Sequence, residues 1–202
     1  MAIPEQQKSP QGAAELTEPA PRGRPRSVKA HEAILKTAAE LLLEHGLDGV
    51  SKATIYRWWP TKQTLALDAL HTEWAAAAPV PRDTGSLRGD LLELLSPWAR
   101  MVSSQPYARL IAALLTEART DPAFAAEYRE RVIEPRRDQA RKIFARAIER
   151  GEIPAGLDLE VALDLIYGPL YLRLLQNHAP LTAAFVRSVI DLVLTGVRRS
   201  AG

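Results

Sequence analysis

The chain has no cysteine, only two methionines, and aromatic residues at just 6% of its 202 positions. Without cysteine there are no disulfides, no thiolate metal ligands and no cysteine nucleophile. Long apolar runs are also missing. A stretch such as Trp74–Val80 is far short of the roughly 20 residues that span a bilayer, so no membrane partner is expected. The first residues, Met1-Ala2-Ile3-Pro4-Glu5, offer neither a basic n-region nor an apolar h-region, which makes the cytoplasm the expected address. No glycine-rich phosphate loop and no nucleophile elbow occurs. The histidines His31, His45, His71 and His178 share no metal-ligand spacing. Asp158, Glu160 and Asp164 read as a helix cap and surface carboxylates rather than as a catalytic set. The expectation is no enzyme, no metal and no cofactor.

Net charge is also small, at +2, but it is unevenly laid out. Residues 1–21 are net acidic, residues 63–202 are balanced, and the basic excess falls in residues 22–62. A local basic block is the electrostatic footprint of a nucleic-acid contact, though an ordinary solvated surface reads the same way.

Organisation follows from composition and period. Residues 1–21, rich in Pro, Gln, Glu and Ala, read as a disordered tail. Arg22, Arg24 and Arg26 form a flexible basic arm. Ser27 caps a helix over about 28–45, with Ile34, Ala38, Leu41 and Leu42 on one face and Gly46 as its stop. Ser51 caps a short helix, Lys52–Trp59, which Pro60 ends. Thr61 caps the next helix, to about Ala77, and Pro79–Gly85 is a linker. Beyond it come further helices: one to about Ser103 containing Pro97, then Tyr107–Arg119. A long one opens at Asp121-Pro122 and is bent near Pro135. The last two are Asp158–Asn177 and one from Leu181 or Thr182 to Arg198. No alternating apolar window reads as a strand. The expected fold is all-α, with a small unit over 22–78 and a larger one over 86–202.

On the short helix Lys52–Trp59, Ile55 and Trp59 face one way. Lys52, Thr54, Tyr56 and Arg57 lie around the other surface. Exposed polar and basic side chains on a short helix suit a DNA major groove. Lys62, opening the following helix, can grip a phosphate together with the backbone N–H groups there. The segment Val50-Ser51-Lys52-Ala53-Thr54-Ile55-Tyr56-Arg57-Trp58-Trp59, followed by Lys62, resembles the recognition helix of the tetracycline-repressor family of bacterial transcription regulators. The likeness extends over about residues 22–199, through Asp121-Pro122-Ala123-Phe124, Pro135-Arg136-Arg137, Arg150-Gly151-Glu152-Ile153 and Tyr167-Gly168-Pro169-Leu170-Tyr171. It implies a helix-turn-helix domain and a larger effector-binding and dimerisation domain. It also implies double-stranded palindromic operator DNA as a partner and a small-molecule effector that releases it. Arg22, Arg24, Arg26, Ser51, Lys52, Thr54, Tyr56, Arg57 and Lys62 are the candidate DNA contacts.

One departure is large. The family places another helix before the recognition helix, whereas here Gly49-Val50 runs straight into Ser51-Lys52. About a dozen residues, one helix, are missing near position 50. That element braces the recognition helix. The alternative reading is therefore a dimeric small-molecule-binding protein with a truncated helix-turn-helix.

The last two helices carry apolar residues on two sides, and both sides must be buried. In the first, Leu159, Leu163, Ile166, Leu170 and Leu174 make one stripe, and Val161, Leu165, Leu172 and Leu175 another. In the second, Phe185, Val189 and Leu192 make one face, and Val186, Ile190, Val193 and Val197 the other. Two such helices from each of two copies build a twofold four-helix interface. The candidate interface residues are Leu165, Leu172, Leu175, Val186, Ile190 and Val193. The aromatic and sulfur residues Trp98, Met101, Tyr107, Phe124, Tyr128 and Phe144 are candidate pocket residues, although each also suits an ordinary core. The expected effector is largely apolar.

Overall fold

The structure, a computed structural model, describes residues 28–45, 58–77 and 82–199. Arg22, Arg24, Arg26, Ser51, Lys52, Thr54, Tyr56, Arg57 and the tail 1–21 lie outside the described residues, as does the junction at Val50. Within them the elements are α1 (Val28–His45), α2 (Lys62–Ala77), α3 (Leu87–Val102), α4 (Gln105–Thr120), α5 (Pro122–Tyr128), a π-helical turn (Arg129–Ile133), α6 (Glu134–Glu149), α7 (Leu159–Gln176) and α8 (Ala183–Arg199). No strand occurs among the described residues. The all-α expectation holds.

Local chemistry sets the boundaries. The hydroxyl of Thr61 accepts from Thr64 N at 3.1 Å, and that of Ser86 accepts from Gly89 N at 3.1 Å. Asp121 caps α5 through Ala123 and Phe124, and Asp158 caps α7 through Glu160 and Val161. Asn177 ends α7 in the left-handed conformation, φ 50°. The interruption expected near Pro135 is the π-helical turn. Proline has no N–H to give to the carbonyl four residues back. Just ahead of it the ladder slips one residue, so that Glu134 N bonds Arg129 O. Such π-turns are frequent at functional sites.

In the small unit, Leu35, Ala38, Ala39 and Leu42 of α1 pack with Leu65, Ala66, Ala69 and Leu70 of α2. In the larger one α3 is central, lying on α6 and α8, while α7 packs on α8. The two units touch where α1 meets α4 and where α2 meets α3 and the π-turn.

One buried acid ties the linker to this core. Asp90 is fully buried, and its carboxylate accepts from Thr84 N and Thr84 Oγ1, both at 2.7 Å. Arg146 donates to it at 3.2 Å and Arg150 at 3.4 Å. Gly89 is required beside this knot, because a Cβ there would lie 2.2 Å from Thr84 Oγ1. Burial pushes the Asp90 carboxyl up, but Thr84 and Arg146 outweigh it and hold it below its ordinary value. Asp90→Ala should cost about 3 kcal/mol, lowering the melting temperature by about 6–12 °C on a chain of this size. The folded carboxyl titrates below its unfolded value. The contribution is therefore present above about pH 4 and is lost as pH falls through the folded value. Thermal unfolding followed by circular dichroism at pH 7 and at pH 3 checks both statements.

Candidate functional site

Three features bear on function: a cavity, an exposed apolar face and the contact between the two units. The cavity, about 390 Å³, lies between α4, the π-turn, α6 and α7. It is lined by Leu115, Ile133, Arg136, Arg137, Asp164, Tyr167, Gly168, Tyr171 and Leu175. Arg136 is only 7% exposed. Its Nε donates to Val132 O at 3.1 Å and a terminal nitrogen donates to the Tyr171 hydroxyl. The guanidinium carbon sits 5.2 Å from the Trp98 ring centroid and 5.6 Å from that of Tyr171. Burial alone would lower its pKa, but the surrounding tyrosines raise it, so the cation is kept. Burial pushes the Tyr167 phenol up to about 12, and its hydroxyl donates to Arg136 O at 3.3 Å. Arg137 is clamped by Glu160 at 2.5 Å and by Asp164 at 2.6 Å. Arg141, followed by Arg137, holds the Glu160 carboxyl down at about 2.

None of the six residues expected in a pocket lines this cavity. Trp98, Phe124, Tyr128 and Phe144 are buried in the core, and Met101 and Tyr107 are half-buried. Trp98 and Tyr128 stand one layer back. Trp98 packs on Tyr167 and Tyr171, and Tyr128 hydrogen-bonds Tyr171. The surface of the wall is mostly apolar, although two guanidinium groups and one carboxylate are among its nine residues. Sequence reasoning missed Arg136, Tyr167 and Tyr171. The signal for Arg136 was its place on one helical face with Ala140, Ile143 and Ala147, all buried.

The exposed face runs along α7 and α8. Val161, Leu165, Leu172 and Leu175 are each about half exposed, and Leu192 is 74% exposed. Leu165, Leu172 and Leu175 thus stand on the outer stripe as expected. Val186 and Ile190 do not: both are fully buried in the chain's own core, and the outer apolar residue of α8 is Leu192. Val193 is half-buried. With Val161, Leu165 and Leu192 it lines a groove of about 450 Å³ between the two helices.

At the contact between units, Asp68 of α2 holds two groups at once. The Trp59 indole N–H donates to its Oδ2 at 2.5 Å, and Arg131 of the π-turn donates to its Oδ1. Arg131 also pairs with Glu127 at 2.8 Å. Trp59, 2% exposed, closes the recognition segment. Lys62 is the first residue of α2 and is partly exposed. Among the described residues no cluster of His, Asp or Glu suits a metal ion, and no helix is long and apolar enough to cross a membrane.

The described residues form a small helical unit, which carries Trp59 and Lys62, packed on a larger helical unit with its own cavity. Residues 81–193 match the tetracyclin repressor-like, C-terminal domain. The HTH-type transcriptional regulator YdeS of Bacillus subtilis (strain 168) is 37% identical over 191 residues, covering 89% of this chain and 96% of that one. The crystal structure of the TetR family transcription regulator SCO0332 superposes with a TM-score of 0.70 at 33% identity, covering 84% of this chain and 98% of the other. The regulator FadR of Bacillus subtilis, solved in complex with stearoyl-CoA, shares the fold with a TM-score of 0.65 at 19% identity, over 83% of this chain and 99% of that one. The chain belongs to the tetracycline-repressor family of transcription regulators, and is not an enzyme.

Proposed function

We propose that the protein binds palindromic operator DNA as a homodimer and releases it when a small molecule enters the cavity. The observation that carries this reading is the position of the π-turn. Ile133 lines the cavity, and two residues earlier Arg131 holds Asp68 and, through it, Trp59. A ligand that displaces the turn therefore acts on the seat of the recognition segment. Ligand-dependent regulation needs only a difference in ligand affinity between the DNA-competent and incompetent arrangements. The exposed leucines of α7 and α8 supply the face on which two copies meet. That FadR was solved with stearoyl-CoA supports a ligand-binding role for this fold.

Lys52 and Arg57 are the base readers in this reading, since long cationic side chains reach guanine O6 and N7. Thr54, Tyr56 and Lys62 hold phosphates, Ser51 caps the helix, and Arg22, Arg24 and Arg26 add charge along a groove. Lys62→Ala should weaken binding to all DNA sequences and reduce the salt slope by about one, as read by anisotropy titrations at several salt concentrations.

A second reading, a dimeric ligand-binding protein that no longer reads DNA, rests on the short helix-turn-helix. The match to YdeS runs over 191 residues yet uses 89% of this chain's 202, so about eleven residues of the relative have no counterpart here. That is the length of one helix. The test of the regulator reading is selection of genomic fragments by the chain with a helix inserted between Val50 and Ser51. Recovery of an inverted repeat supports it. Recovery of fragments without one, or of none, speaks against it.

A further inference from the structure

We propose that the cavity accepts an uncharged, apolar molecule, and that the ion pairs of its own wall discriminate against a charged one. This inference rests on the reading of the cavity as the effector site and names the class of effector.

Leu115, Ile133 and Leu175 offer aliphatic surface to the cavity, and Tyr167 and Tyr171 offer ring surface. An apolar body is favoured there by the area it removes from water. The polar groups of the wall are turned on one another. Arg137 donates to Glu160 through Nε and one terminal nitrogen, and to Asp164 through the other. Arg136 donates to Val132 O and to the Tyr171 hydroxyl, and lies against the Trp98 and Tyr171 rings. The Tyr167 hydroxyl donates to Arg136 O at 3.3 Å, and Tyr171 also bonds Tyr128. An anion entering the cavity has to take a donor from one of these acceptors. A cation has to take Asp164 from Arg137, beside two guanidinium groups. Either exchange strips an ion of water and leaves a polar group of the wall without its partner, at the cost of that group's desolvation. A neutral molecule leaves every one of these bonds in place. The volume of about 390 Å³ lies toward the lower end of the roughly 300–1,000 Å³ of small-molecule sites.

The ion pairs can be altered without touching the core. The Glu160 and Asp164 side chains are 54% and 72% exposed. Replacing both by their amides removes the two carboxylates that match Arg137 and makes the wall more positive. Leu115, half-buried on α4, gives a separate handle on the space, since a tryptophan there fills the cavity.

The test is fluorescence titration of the full chain with N-phenyl-1-naphthylamine, an uncharged probe that brightens in apolar sites. Decanamide, decanoate and decylammonium then compete with it at neutral pH. The three competitors share one chain and differ in the charge of the head. Decanamide should displace the probe at a concentration at least about tenfold lower than either ion. In the double variant Glu160→Gln, Asp164→Asn the gap between decanamide and decanoate should narrow at least about threefold, while the gap to decylammonium should not narrow. Leu115→Trp should abolish probe binding. Circular dichroism reports whether each variant is folded, and the double variant decides the location should Leu115→Trp fail to fold. No probe binding, an ion that competes as well as decanamide, unchanged gaps in the double variant, or probe binding that survives a folded Leu115→Trp would each overturn the proposal. The regulator reading fails separately, if the neutral probes bind as expected but leave operator affinity unchanged.

Discussion

Replacing Leu165 and Leu192 together with glutamate is expected to turn the dimer into monomers that keep their helices. Both side chains are more than half exposed in the single chain, so a charge there costs the isolated subunit little. At an interface the same charge is buried without a partner, at a cost of about 3–5 kcal/mol. Twofold symmetry places each replacement twice. The combined penalty exceeds what separates a nanomolar dimer from a millimolar one, about 8 kcal/mol. Sedimentation velocity at micromolar concentration should show the wild type as a dimer and the double variant as a monomer with unchanged helicity. Val186→Glu and Ile190→Glu form the contrasting pair. Both residues are fully buried within the subunit, so these variants should lose helicity along with assembly. A wild-type chain that sediments as a monomer would remove the basis for the dimer.

Arg131→Leu is expected to uncouple the cavity from the recognition segment. The variant keeps every residue of the cavity wall and removes the guanidinium that reaches from the π-turn to Asp68. Asp68 retains its bond to the Trp59 indole, so DNA binding without ligand should change less than the response to ligand. Couplings of this kind typically amount to 1–3 kcal/mol, or about 5–150-fold in affinity. A ligand that enters the cavity should weaken operator binding of the wild type by a factor in that range. It should bind Arg131→Leu equally well and shift its operator affinity less than about twofold. A full response in the variant would mean that coupling runs elsewhere, through the packing of α1 on α4 or of α2 on α3.

The fold was legible because its signals are local. Thr61, Asp121 and Asp158 each cap the helix they were expected to cap, and Pro135 lies just beyond the π-turn, next to the slipped bond from Glu134 N to Arg129 O. The outer stripe of α7 was legible too, since its two apolar stripes are separated by polar positions. On α8 the choice of outer face went the wrong way. Both faces are apolar, and burial of Val186 and Ile190 follows from how α8 lies on α3, which periodicity does not encode. The polar neighbours Ser188, Asp191 and Thr195 around Leu192 carried the missing hint: Asp191 is solvent-facing and bonds Arg88 at 2.7 Å. The cavity was the least legible element. It forms between α4, the π-turn, α6 and α7, and its walls are set by which side chains fail to fill the gap. Trp98, Phe124, Tyr128 and Phe144 fill their own space and became core. Gly168 leaves space and became wall.

The proposal that this chain reads DNA as a dimer but is short of one supporting helix is tested most directly by fluorescence-anisotropy titration of the selected operator, using the 202-residue chain beside a version with a helix inserted between Val50 and Ser51. Nanomolar to micromolar, salt-dependent binding is expected of the completed version, with log affinity falling by about 0.9 per phosphate contact for each tenfold rise in salt. Binding at least about tenfold weaker is expected of the 202-residue chain, because a helix-turn-helix without its first helix leaves the recognition helix unbraced. Equal binding by the two chains, or no salt-dependent binding by the completed one, would contradict it.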